Sequence, residues 1–569
     1  MRKYILVLLA FAALSAAAQK TESSLYDQTS EVNNLMVHYN ADNTSITRFY
    51  LIGQSPERRM KLKKMHEDYL SQLAKMDYDK LPVGSRVDYI LFKRNLTNEL
   101  RLLDLEENEY SQISKWIPFA DSLYAVEKLR RRGAAMNAPL LAEQFNSIQR
   151  QVNMLTPRIK QETLTPALGE RAYNAIKGLQ TALKSVYDFY NGYDPLFTWW
   201  MATPYRSADS SLNLYANALR AKGKSPGTQK DDGSGIIGNP IGREELIQQL
   251  RFEMIPYTPE ELIEIANKEF AWCDQELLKA SREMGFGDNW KAAQEKVKNT
   301  FVPAGRQPQM IIELYNQSVD FIRKKDLVTL PSLADEDWTM NMMTPERQLF
   351  APFFLGGSGL LIAYPTNTMK EDEKLMSMRG NNPHFSRAVV HHELLAGHHL
   401  QWYMNNRNKT YRNFPTPFWT EGNACYWEFV LWDQQFPRGP EDRIGMLFWR
   451  MHRCARIIFS LKYHLGEWTP QQCIDFLVDR VGHERSTAEG EVRRSFTGQY
   501  PPLYQIGYMI GAFQFWALKK ELVDSGKMSY RQYHDAILRE NAMPVEMLRA
   551  ILTNQKLPKD FESSWRFYK

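Results

Sequence analysis

The sequence has only four cysteines in 569 residues, and none lies in a C-x-x-C pair. That spacing argues against a zinc–thiolate knuckle. Cys273, Cys425, Cys454 and Cys473 fall within helical apolar patterns, where a free thiol behaves as a small buried hydrophobe. Charge of one sign is also lacking. The chain has 71 basic and 66 acidic residues, a net charge of +5, and no dense Lys/Arg block. A nucleic-acid partner is therefore not expected. The Gly-rich stretch at 221–242 follows no strand and lacks phosphate-loop spacing, which argues against a nucleotide loop. Past the N-terminus no apolar run is long enough for the ~20 residues of a membrane span.

What the N-terminus contains is a basic pair, Arg2-Lys3, an apolar stretch from Tyr4 to about Leu14, and the triplet Ala16-Ala17-Ala18. This reads as a secretory signal peptide over 1–18, cleaved before Gln19. The expected location is periplasmic or secreted, with no stable membrane span after signal removal, and export permits disulfides. Residues 19–46 are polar and read as a flexible segment. From about 47 to 220 apolar residues recur at three- and four-residue intervals, which predicts a helical lobe. Residues 221–242 read as a linker, and about 243–569 as a second, catalytic lobe.

Within that second lobe Thr258-Pro259-Glu260-Glu261 predicts a capping box with proline at the first helical position, and Gly285 a stop. "RQLFAPFFLGGSGLLIAYPTNT", Arg347–Thr368, breaks the helical trend with two apolar runs around three glycines and predicts a β-hairpin. Its edge could align an extended substrate.

The chemistry-bearing stretch is "HHELLAGHHL", His391–Leu400, which holds four of the 11 histidines. His392-Glu393 opens like the H-E-x-x-H zinc motif, but the i+4 position is Ala396. The next histidines stand at i+6 and i+7. On a straight helix i+6 lies about 240° round, and i+7 about 10 Å along the axis. One ion needs ligand atoms about 2 Å away, so a regular helix excludes the site. A break between the histidines restores it, and Gly397 sits there, able to take positive φ. Downstream, "FWTEGNACYWEF" places Glu421 in an apolar aromatic run, where a carboxylate is costly unless paired or metal-bound. Glu428, seven residues on, could orient a histidine or replace Glu421 as ligand; His399 is likewise an alternative to His398.

At these residues the chain resembles the domain-of-unknown-function family 885, a bacterial family of zinc-hydrolase-like proteins. The family's H-E-x-x-P-G-H-H-L-Q stands here as His392–Gln401, with Ala396 in place of proline. Its E-G-W-A-L-Y-x-E resembles Glu421–Glu428. Its late E-V-x-R-Y … P-G-Q-A-L-S-Y-K-I-G resembles Glu491-Val492-Arg493-Arg494 followed by "TGQYPPLYQIG". The resemblance implies a gluzincin-like protein, distantly similar to angiotensin-converting enzyme and the thermostable carboxypeptidases. The implied fold is mainly α, a large two-lobed helical body around a deep cleft, with a small β-hairpin or sheet near the metal.

The implied activity is that of a zinc metallopeptidase on short peptides. In that reading His392, His398 and Glu421 hold zinc, Glu393 is the general base, and Tyr504 (or Tyr500, given one extra residue in "GQYPPLY") stabilises the oxyanion. Arg493 or Arg494 would bind a substrate carboxylate or make a structural ion pair. A zinc amidohydrolase acting on a small non-peptide amide or ester, or an exported non-catalytic binding or scaffold protein, are the alternatives.

Overall fold

Helix starts are written into the sequence as a capping residue followed by proline. Ser55–Pro56, Thr165–Pro166, Thr258–Pro259, Asn382–Pro383, Thr416–Pro417 and Thr469–Pro470 each open a helix. In each, the capping side chain accepts a backbone N–H two or three residues on. The computed structural model describes residues 29–223 and 231–568. It is mainly helical, with one two-stranded sheet among the described residues. No helix of the described residues is long and apolar enough to cross a membrane. The signal-peptide segment 1–18 lies outside the described residues.

The chain divides into two units. The smaller comprises Val32–Lys80 and Tyr89–Asp231. Its long antiparallel helices Pro166–Tyr190 and Pro195–Gly223 share a core with Ala138–Leu155, including Phe145, Leu179, Leu183, Phe197, Leu212 and Tyr215. The expectation of a loose segment over 19–46 is corrected from Asn33 on, because Asn33–Phe49 is a helix; residues 19–28 lie outside the described residues. Few apolar residues mark it, but they are well used. Met36 is buried, and the Tyr39 ring packs edge-on against Tyr69 and Phe92.

The larger unit carries residues 232–568 with Leu81–Asp88. Its elements used below are α1 (Pro259–Glu283), α2 (Gln307–Lys324), β1 (Met340–Met342), β2 (Leu360–Ile362), α3 (Pro383–Glu393), α4 (His398–Asn405), α5 (Pro417–Asp433), α6 (Pro440–His464), α7 (Arg485–Phe496) and α8 (Tyr504–Lys519). At the start of α1 both halves of the predicted capping box form: Glu261 N–H donates to Thr258 Oγ1 at 3.2 Å, and Thr258 N–H to Glu261 Oε2 at 2.8 Å. Gly285 follows at φ 85°.

The hairpin expected over Arg347–Thr368 is corrected. β2 does lie in that stretch, but it pairs in parallel with β1, in the register Met340–Leu360. Within the stretch a single antiparallel bridge, Leu355 to Leu361, closes the glycine loop. The first apolar run is mostly consumed by core burial of Phe353 and Phe354 rather than by strand pairing.

Helix α5 is buried on nearly every side, as an all-round apolar helix must be. It packs against α8 main chain to main chain. A Cβ on Gly511 would lie 2.0 Å from Phe418 O, and one on Gly422 2.6 Å from Gly511 Cα. Glycine is the residue that permits such an approach. The contact brings Glu421 of α5 beside Tyr504 and Tyr508 of α8.

Candidate metal centre

The helix carrying His392 ends at Glu393, and a new helix begins at His398. The four residues between them turn the chain so that both imidazoles face one point. Gly397 is required at the turn, though not for the reason the sequence suggests. Its φ is −88°, an ordinary value. A Cβ there would sit 1.8 Å from His392 O and 2.7 Å from His391 O. The glycine is needed because the chain folds back on the end of α3.

His392, His398 and Glu421 each offer a ligand atom, and these atoms lie within 4.8 Å of one another. His398 Nε2 is 3.2 Å from Glu421 Oε2, and His392 Nε2 is 3.5 Å from the same oxygen. Glu393 Oε2 stands 4.0 Å from His398 Nε2. The other nitrogen of His392, Nδ1, donates to Glu428 Oε1 at 2.8 Å. Arg453 Nη2 donates to the same oxygen at 2.9 Å. Glu428 therefore lies behind His392, on the opposite edge of the ring from Glu421.

His399, the other candidate ligand, is turned away. Its Nε2 contacts Asp337 Oδ1 at 2.8 Å and Ala334 O at 3.0 Å, and its Nδ1 contacts Gly357 O at 3.1 Å. It ties α4 to the glycine loop. That loop reaches the site directly: a Cβ on Gly356 would lie 2.6 Å from Glu393 Oε2.

The electrostatics favour positive charge at the centre. Burial works against ionisation of Glu421, but His398 and His392 hold its carboxyl well below the usual range. Burial also opposes protonation of His398, yet Glu421 and Glu393 outweigh it and lift the imidazole to about 9. Glu393 is pushed up by burial, and Glu428 is brought down to about 2 against its own burial, chiefly by Arg453 and His392. Two imidazoles and an ionised carboxylate, one imidazole oriented by a second carboxylate, form a donor set that fits zinc.

Tyr504 donates its hydroxyl hydrogen to Glu421 Oε1, and burial together with Glu421 holds its phenol far above the usual range. Tyr500 does not reach Glu421; its ring stacks on Tyr504 at 4.1 Å. Of the two arginines, Arg494 is buried and lines the pocket in front of the metal ligands. Arg493 lines a different pocket, with Gln348, Met369 and Glu373, and is not brought to this centre.

The pocket, of about 480 Å³, also includes Arg453, Arg456 and Tyr508, which the sequence reading missed. A signal was present. Arg450, Arg453 and Arg456 recur every third residue through the apolar helix α6, where a cation is costly without a partner.

No curated protein matches the chain. Solved structures share its fold, two of them as follows. A "putative lipoprotein of unknown function" from Shewanella oneidensis superposes with a TM-score of 0.65 at 16% identity, covering 92% of this chain and all of the other. A "putative lipoprotein" from Colwellia psychrerythraea gives 0.57 at 13% identity, covering 92% of this chain and 98% of the other. The family model described as bacterial protein of unknown function, DUF885, matches residues 51–552. The chain thus belongs to the DUF885 family.

Proposed function

We propose that the protein is an exported zinc metallopeptidase that hydrolyses short peptides. The observation that carries this reading is the convergence of His392, His398 and Glu421 within 4.8 Å, with the buried Glu393 beside them. Zinc bound by these three would supply Lewis-acid polarisation of a scissile carbonyl and acidify a water. The remaining steps belong to side chains of the protein. Glu393 takes the proton from the attacking water and carries it to the leaving amine; burial raises its pKa and so improves it as a base. Tyr504 stays protonated, and its O–H, which donates to Glu421 in the structure, would turn to the oxygen that becomes negative. Glu428 fixes the His392 ring, so Nε2 is the nitrogen left free to ligate. A pocket of about 480 Å³ suits a peptide of a few residues.

Export is supported by the basic, apolar and alanine-rich order of residues 1–18. The lipoprotein descriptions of the two similar structures fit a cell-envelope location. The test is metal content by elemental analysis, followed by digestion of a peptide library read by mass spectrometry. One zinc per chain with defined cleavage products is the expected result. Turnover confined to non-peptide amides or esters would make the protein an amidohydrolase, and bound zinc with no turnover of any panel would make it a binding protein.

A further inference from the structure

On the pocket wall beyond the metal ligands, two guanidinium groups share one carboxylate. Glu491 of α7 accepts from Arg456 Nε at 2.7 Å and from Arg456 Nη2 at 3.2 Å. Arg494 Nη2 lies 2.6 Å from Oε2 of the same carboxylate. Gln505 Nε2 adds a further donor at 2.9 Å. All three charged side chains are buried. The neighbouring His452 stays neutral, since burial and then Arg456 depress it. The cluster therefore keeps one buried positive charge that Glu491 does not cancel.

Arg456 Nη1 and Arg494 Nε are both shut off from solvent and have no partner among the described residues. A buried guanidinium left short of acceptors is costly. An anion entering the pocket would relieve that cost, and a planar carboxylate matches the guanidinium fork. Exposed Arg347 at the same pocket adds to the pull on an anion.

Placement relative to the metal ligands sets what kind of carboxylate fits. The Tyr508 ring touches both groups. Its centroid is 5.9 Å from that of the His392 ring and 4.1 Å from Arg456 Cζ, so the two groups lie no more than about 10 Å apart. A peptide advances about 3.3–3.6 Å per residue. A carboxylate held by the arginines is thus one or two residues from a carbonyl held near His392.

We propose that Arg456 and Arg494 bind the C-terminal carboxylate of the peptide, so that the enzyme trims residues from the carboxyl end. This rests on the peptidase reading above. The new content is the direction of cleavage and the anchor, of which Arg456 is the member most enclosed.

The experiment uses the mature zinc-loaded protein with N-acetylated tripeptides, each prepared as the free acid and as the C-terminal amide. A third series carries the amide with a glutamate side chain at the last position. The free acids are expected to be cleaved one or two residues from the end. The amides should lose roughly 10- to 100-fold in kcat/KM, mostly through KM, the range for hydrogen bonds to a charged group. Arg494→Gln should close the gap between acids and amides, whatever it does to the rate on the amides. The acid–amide comparison needs no variant, so it stands even if an arginine substitution fails to fold. Equal cleavage of acids and amides would overturn the anchor and leave the peptidase standing. Recovery in the glutamate series would overturn the C-terminal assignment in favour of a side-chain carboxylate. No cleavage of any series, with zinc bound, would overturn the peptidase reading and the anchor together.

Discussion

Glu428 accepts a hydrogen bond from His392 Nδ1 at 2.8 Å while sharing its oxygen with Arg453. The carboxylate is ionised, with its pKa brought down to about 2, so Nδ1 carries the proton and Nε2 is the nitrogen left to face the metal ligands. Removing such an orienting partner typically costs 10–100-fold in metal affinity. Glu428→Ala should therefore weaken zinc binding by about that factor without abolishing it. Competition with a chelator of known affinity measures the change, and complete metal loss would make Glu428 a ligand.

Glu421 and Glu393 are both buried carboxylates at the centre, but they should fail differently. Glu421→Ala removes one of three protein ligands, and its zinc should wash out under mild chelation. Glu393→Gln keeps the shape and the metal but cannot accept a proton, so turnover should fall at least about 10²–10⁴-fold. Elemental analysis beside kinetics on the best available peptide separates the two. A fully active Glu393→Gln would end the proposed mechanism.

Gly397→Ala should be severe for so small a change. The added methyl would sit 1.8 Å from His392 O, and the obstacle is main chain rather than a side chain that can swing away. Overpacking usually costs about 1–3 kcal/mol, and this position should reach the upper end or exceed it. Denaturant midpoint and zinc affinity should fall together. Wild-type values for both would show that the turn between α3 and α4 has room to spare.

Glu491 supplies a pH prediction. Burial works to raise its pKa, and Arg456 and Arg494 overcome that and bring it to about 2. A carboxyl depressed on folding adds stability above its unfolded value, near 4.5, and that contribution drains away as pH falls toward 2. Glu491→Gln should lower the urea midpoint at pH 7, since it strands two buried cations. The gap to wild type should narrow steadily below about pH 4.5. A gap that is constant from pH 7 to pH 3 would contradict the assigned charge state.

The sequence was legible where one residue type has one use. Thr258-Pro259 with Glu261 marked a helix start to the residue, and His392-Glu393 with His398 marked the three side chains of the centre supplied by one short segment. It was misread where a residue has several uses. Gly397 was read for its freedom of φ, whereas its φ is −88° and the space is what matters. The apolar runs around Gly356 looked like paired strands, but β2 found its partner in Met340–Met342, outside the stretch. The helix at Asn33–Phe49 escaped because its few apolar residues lie among polar ones and depend on Tyr69 and Phe92, distant in the chain. Arg456 could not be placed from sequence alone, since its meaning comes from Glu491 on another helix.

The glycine contact between α5 and α8 has a mechanical consequence. Helices that meet through side chains can slide as rotamers change. Helices that meet through Gly422 and Gly511 leave no such slack. The separation of Glu421 from Tyr504 is then a fixed dimension of the molecule, like the gap of a calliper locked at one setting. Breathing of the pocket falls more easily to the loop at Leu355–Gly359, which also lines it and is closed by a single β-bridge. Amide exchange should accordingly be many-fold faster at residues 355–359 than around Gly422 of α5 and Gly511 of α8.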